Sequence, residues 1–159
     1  MKHLAMALAL VFALAAPALA AGSNTLTSQP AAAEDPDWAQ AKSALQARQY
    51  EQAVPLLQKV VAKDASNADA FNYLGYTHAR ADKPQEALAY YNKALDINPK
   101  HRGANAYLGE LHLKLGDLPA AEERLKTLDG VCFFGCAEYD ILKAALAEYK
   151  ATGKFTSRK

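Results

Sequence analysis

The chain has 159 residues, 51% of them hydrophobic, with 18 Lys and Arg against 17 Asp and Glu. A near-neutral chain without a basic stripe has no electrostatic footprint for nucleic acid, so no such partner is expected. The length allows one compact domain with a buried core, and the two cysteines allow at most one internal disulfide.

Residues 1–20 read as a secretory signal peptide. Met1-Lys2-His3 is a short basic region, Leu4 to Ala16 is an uncharged apolar core, and Ala18-Leu19-Ala20 is the small-x-small pattern of a cleavage site. An uncleaved anchor is the alternative, but the apolar run is shorter than the roughly 20 residues of a span. No cysteine follows the site, which leaves a lipoprotein unsupported. Cleavage would remove Lys2 alone among the charged residues and leave 17 of each sign. The expected product is exported and has no stable membrane insertion. Residues 21–34, rich in Ala, Ser, Thr, Gln and Pro without periodicity, read as a flexible leader.

Helical signals begin at Asp35-Pro36, a capping residue followed by a proline at the first helical position. Pro84 and Pro119 are expected to open later helices in the same way, and Pro55 to fall among first-turn amides that lack partners. The apolar pattern then repeats. Leu74, Gly75, His78 and Ala87 recur 34 residues on as Leu108, Gly109, His112 and Ala121. The same interval toward the N-terminus puts Ala41, Ala53 and Leu57 at the Gly75, Ala87 and Tyr91 positions, with Trp38 one residue from an aromatic position. Toward the C-terminus it puts Leu142 at the Leu108 position, with Tyr139 where Phe71 stands.

The unit from Ala68 to Lys100 resembles the tetratricopeptide (TPR) repeat: Phe71, Leu74, Gly75, Ala87, Tyr91, Ala94 and Pro99 match its signature in order and spacing. The resemblance implies an all-α superhelix of three helix-turn-helix repeats, over about 34–67, 68–101 and 102–135 within a domain spanning 35–150. Leu74 would fill the seam between paired helices, small Gly75 and Ala87 would let their axes approach, and Pro99 would stop the second helix. Lys143 replaces the small residue of the last unit, so 136–150 reads as a capping helix. Residues 151–159 read as a basic, flexible tail.

Cys132 and Cys136 enclose Phe133, Phe134 and Gly135, where the Asn98-Pro99 turn stands one repeat earlier. In an exported chain a disulfide is expected, and its five-residue ring removes about 2 kcal/mol of unfolded-state entropy. Phe133 and Phe134 are expected to tuck against the open end of the stack, with Gly130 and Gly135 supplying turns. The alternative is a thiol-redox or copper site, with His101 or His112 as a third ligand. It has no Cys-x-x-Cys or haem motif behind it. His78 and His112 share a repeat position and would stand about 8–10 Å apart, too far for one ion with bonds near 2 Å. They are expected in inter-repeat packing, and no metal or cofactor is expected.

No Gly-x-Ser-x-Gly, His-Glu-x-x-His or phosphate-binding glycine loop is present, and Glu122 and Glu123 read as solvated charges, so the chain is not expected to be an enzyme. The family resemblance implies a binding groove lined by the first helix of each pair. Its positions fall on Trp38, Lys42 and Gln46, then Asn72, Tyr73, Tyr76 and Arg80, then Tyr107, Glu110 and Lys114. Tyr, Trp and Arg dominate binding hot spots. Tyr73 and Tyr107 are expected to be half-buried, and Tyr76 with Arg80 to make the better contacts. The carboxylate-clamp subclass is set aside, since its matching positions here are Trp38, Lys42, Tyr73, Gly103 and Tyr107. The ending from Cys136 to Leu142 is similar to that of small exported TPR proteins of Gram-negative bacteria. The resulting expectation is a periplasmic adaptor that binds a peptide or protein and assists envelope assembly. Self-association through the groove or the open ends of the stack is a third possibility.

Overall fold

The computed structural model describes residues 34–156. The expected signal peptide, nearly all of the leader and the last three residues of the tail lie outside the described residues. Those described form seven helices and no strand: α1 Pro36–Gln46, α2 Tyr50–Lys63, α3 Ala68–Arg80, α4 Pro84–Ile97, α5 Arg102–Lys114, α6 Leu118–Val131 and α7 Ala137–Thr152. α1/α2, α3/α4 and α5/α6 form three helix-turn-helix pairs, and α7 packs on both α5 and α6. This is the all-α repeat architecture with a terminal helix. No helix among the described residues is long and apolar enough to cross a membrane.

The pattern holds down to single hydrogen bonds. The Asp35 carboxylate accepts the Asp37 N–H at 2.7 Å at the start of α1. Asn67 accepts from Ala70 at 2.9 Å, and Asp117 accepts from Ala120 at 3.1 Å. Such caps contribute about 1 kcal/mol each. Within each pair the turn residue is left-handed: Arg48, Asp82 and Gly116 have φ of 58°, 57° and 83°. The next residue's N–H then reaches back across the helix end, from Gln49 to the Ala44 carbonyl at 2.8 Å, Lys83 to His78 at 2.9 Å and Asp117 to His112 at 2.8 Å. This closure satisfies carbonyls that the helix leaves unpaired.

The core follows the same interval. Leu74, Leu108 and Leu142 are buried, as are Ala53, Ala87 and Ala121. Gly75 makes room for a ring, because a Cβ there would stand 2.6 Å from Tyr91 Cδ1. Each large buried side chain contributes about 1.5–3 kcal/mol, so this periodic stripe is the main source of cohesion.

Four expectations need correction. Pro55 is the sixth residue of α2, past the four unpartnered amides, so it leaves the Glu51 carbonyl without its helical donor. Gly130 lies inside α6 and supplies no turn. Phe133 and Phe134 do not tuck against the stack: they are 88% and 99% exposed. Their ring is too short to fold back, since Cys132 and Cys136 are joined by a disulfide with Cα atoms 5.5 Å apart. The tail does not simply fray either. α7 continues to Thr152, Gly153 turns the chain, and Phe155 packs half-buried against the α5–α7 core.

Candidate binding groove

Residues of α1, α3 and α5 line a groove built around aromatic rings. Trp38 meets Tyr73 with centroids 5.8 Å apart, and Tyr76 touches both Tyr50 at 5.8 Å and Tyr107 at 5.2 Å. Tyr107 in turn lies 6.3 Å from Tyr91. Offset and tilted contacts of this kind stabilise ring pairs beyond area burial, so the row is stiff.

Three cavities adjoin the rings of Tyr73, Tyr76, Tyr91 and Tyr107. One of about 380 Å³ has Tyr76, Ala79, Tyr91, Tyr107 and Leu111 in its walls, with Arg48, Arg80, Asp82, Glu110 and Lys114 also lining it. A second, of about 260 Å³, is bounded by Lys42, Leu45, Gln46, Tyr73, Tyr76 and Tyr107. The third, about 380 Å³, includes Asn72, Tyr73, His101, Gly103 and Tyr107. Tyr107 belongs to all three and is the centre of the groove.

Of the residues expected from sequence, Lys42, Gln46, Tyr73, Tyr76, Arg80, Tyr107, Glu110 and Lys114 line the first two cavities. Tyr73 and Tyr107 are half-buried. Trp38 lines none of the three; it stands beside Tyr73, with Lys42 Nζ over its ring at 5.7 Å. Asn72 departs from expectation, being only 4% exposed. It sits in the seam, its Nδ2 3.3 Å from where a Gly103 Cβ would be, and a larger residue at 103 would press on it. Residues missed in the sequence include Arg48, Tyr50, Tyr91, Ile141 and Phe155. Ile141 had a signal, since it stands 34 residues after Tyr107. Phe155 had none, because it arrives by a turn beyond the last helix.

Burial pushes the Tyr76 phenol up to about 12, with the Tyr50 hydrogen bond adding to the shift. Burial also raises Tyr107, and Tyr91 well above its ordinary value. The phenols of Tyr76, Tyr91 and Tyr107 therefore stay protonated at neutral pH. Lys114 Nζ reaches Asp82 at 2.5 Å, and that bond holds the Asp82 carboxyl below its ordinary value.

The histidines are committed elsewhere. His101 Nδ1 accepts the Ala104 N–H at 3.1 Å, capping α5, while Nε2 lies 2.9 Å from Asp69. His78 stacks on Tyr90 of its own pair at 5.0 Å, and His112 Nδ1 is 3.7 Å from Asp117. These contacts lie within one pair, or at its turn, and not between repeats as expected. Among the described residues no group of three or more His, Cys, Asp or Glu converges as a metal site.

Two sequence models described as tetratricopeptide repeat match residues 39–102 and 78–146. No curated protein matches the chain. Among similar solved structures is PcrH in complex with the chaperone binding region of PopD, 21% identical, covering 74% of this chain and 91% of that one, with a TM-score of 0.65. The first TPR of Spaghetti (RPAP3) bound to the HSP90 peptide SRMEEVD is 16% identical, covers 72% and 90%, and has a TM-score of 0.63. MamA is 18% identical, with 77% and 78% covered and a TM-score of 0.57. At these identities the likeness establishes the fold alone.

Proposed function

Because the chain belongs to the tetratricopeptide repeat family, we propose that it is a non-enzymatic adaptor holding an extended peptide or partner helix in its groove. The observation that carries this reading is the pair Tyr76 and Tyr107, shared by two adjoining cavities and extended by the ring of Tyr50 beside Tyr76. Large, stiff rings with polar tips bind at low entropic cost, and mixed charges around them select the partner. PcrH in complex with a region of PopD and Spaghetti bound to an HSP90 peptide are proteins of this fold that bind protein segments, which supports the reading. The signal-like N-terminus supports action in the periplasm, where the adaptor would help assemble or hold an envelope complex.

The test is affinity capture from periplasmic extract by the mature chain, beside a Tyr76→Ala/Arg80→Ala variant shown to be folded by circular dichroism. Captured partners are then confirmed by titration with purified peptides. Partners retained by the wild type and lost from the variant are the expected result; equal binding to both would sink the groove reading.

The thiol or copper reading has less support. Cys132 and Cys136 are already bonded to each other, and both nitrogens of His101 are engaged. Under the adaptor reading a Cys132→Ala/Cys136→Ala variant keeps its partners and loses only stability.

A further inference from the structure

The least explained feature of the molecule is the pair Phe133 and Phe134. Adjacent aromatic rings that stand 88% and 99% clear of the protein are an exposed apolar patch of the kind that marks an interaction site. They meet edge-on at 5.8 Å at the apex of a covalently closed loop. The loop's base is 5.5 Å wide, and the Gly135 N–H closes it further on the Cys132 carbonyl at 2.7 Å. The rings are thus presented on a narrow, stiff projection. One repeat earlier the corresponding segment is polar, Asn98-Pro99-Lys100-His101.

The same chain carries a receptacle. The cavity of about 380 Å³ has an apolar interior of Tyr76, Ala79, Tyr91 and Leu111, and its size suits aromatic side chains. Charge is compatible: the segment from Thr127 to Leu142 carries Asp129, Glu138 and Asp140, with Lys126 and Lys143 just outside it and Lys100 and Arg102 sharing a cavity with Glu138. The cavity is lined by Arg48, Arg80 and Lys114 against Asp82 and Glu110. Neither Phe133 nor Phe134 lines the cavity of its own chain, although Ile141 of the adjoining α7 does. By topology the α6–α7 loop lies at the helix ends opposite the turns that carry Arg48 and Asp82.

We propose that the Cys132–Cys136 loop of one copy seats Phe133 and Phe134 in the groove cavity of a second copy. The contact is head-to-tail, joining two different surfaces, so it leaves one projection and one cavity free and allows further copies to add. The acidic residues beside the loop meet a cavity with one excess positive charge, in which Lys114 is already bonded to Asp82. The proposal rests on the groove being a binding site, and it makes a second copy one competitor for it.

The experiment is sedimentation velocity on the mature chain over a wide concentration range, with three variants. Phe133→Ser/Phe134→Ser removes the projection and leaves the cavity. Tyr76→Ala opens the cavity wall. Arg48→Glu/Lys114→Glu reverses exposed charges at the cavity, with little risk to folding. The wild type is expected to grow in mass with concentration, while the projection and charge variants each remain monomeric. Mixing those two should give a single heterodimer of doubled mass and nothing larger, because only one intact pair of surfaces remains. A wild type that is monomeric throughout, a mixture that stays monomeric, or undiminished association by the Phe variant would each overturn the proposal. So would flotation of a monomeric wild type with phosphatidylethanolamine–phosphatidylglycerol vesicles that the Phe variant loses, which assigns the rings to lipid. Peptide binding by the Phe variant is read in parallel. If it persists without heterodimer formation, this proposal fails alone; if the heterodimer forms without peptide binding, the adaptor reading fails alone.

Discussion

Gly75 and Gly109 occupy the same place 34 residues apart, yet they are small for different neighbours. A Cβ on Gly75 would meet the ring of Tyr91, in the second helix of its own pair, at 2.6 Å. A Cβ on Gly109 would meet Leu142 Cδ2 at 2.5 Å, and Leu142 belongs to α7, outside the pair. The helix that follows decides the difference. α4 brings a ring to the seam, whereas α6 has Leu125 at the matching place and α7 reaches the space instead. A repeated residue therefore marks a repeated need for room, while what takes up the room changes along the stack.

That contrast can be broken experimentally. The largest effect is expected from Gly75→Ala, because the added Cβ would press on the Tyr91 ring at Cδ1, Cε1 and Cγ, the body of the ring and not a flexible tip. A loss of about 3 kcal/mol, toward the upper end for overpacking, should appear in urea unfolding. Combining it with Tyr91→Leu should cost less than the sum of the two single changes, since they share one contact. A Cys132→Ala/Cys136→Ala chain should lose about 2 kcal/mol, from the ring-closure entropy. Gly109→Ala should cost only about 1 kcal/mol, because Leu142 sits on a terminal helix that can shift and alanine favours the helix. In the cysteine-free background that cost should shrink further while the Gly75 cost stays; equal costs in both backgrounds would end the distinction.

The smallest effect is expected at the two histidines that share one repeat position. Burial lowers both His78 and His112 from the ordinary value of 6.5, while Glu86 opposes the shift at His78 and Asp117 opposes it at His112. Neither ring nitrogen of His78 has a hydrogen-bond partner among the described residues. A lowered folded value means the unfolded chain binds protons first. The stability is therefore fully present above pH 6.5 and is lost as pH falls through the lowered folded value. His78→Gln and His112→Gln should each flatten thermal stability against pH in that window, and an unchanged slope in either variant would show that its ring does not change its proton affinity on folding.

Much of this was legible in the residues. Leu74, Gly75, Ala87 and Tyr91 announced the seam, and Asp35 with Pro36 announced a helix start. The groove positions Tyr73, Tyr76 and Tyr107 followed from the family resemblance, which implies the helix faces that line the groove. Depth was harder to read. Asn72 stands at a groove position and lines one cavity, yet it is almost wholly buried against Gly103 of α5. Tyr91 was read as core and is also a cavity wall. Phe133 and Phe134 were hydrophobic and so expected inside, but composition cannot show that a five-residue ring has no inward side.

The sequence by itself determined the helices, their pairing and the period, because those depend on local spacing: apolar stripes, caps and small residues recurring at 34. Only the tertiary structure decided which neighbour fills each gap, where Phe155 lands and which rings join into one row. Those outcomes depend on helices brought together from far apart in the chain, and their distances are set by packing against partners that no local pattern names.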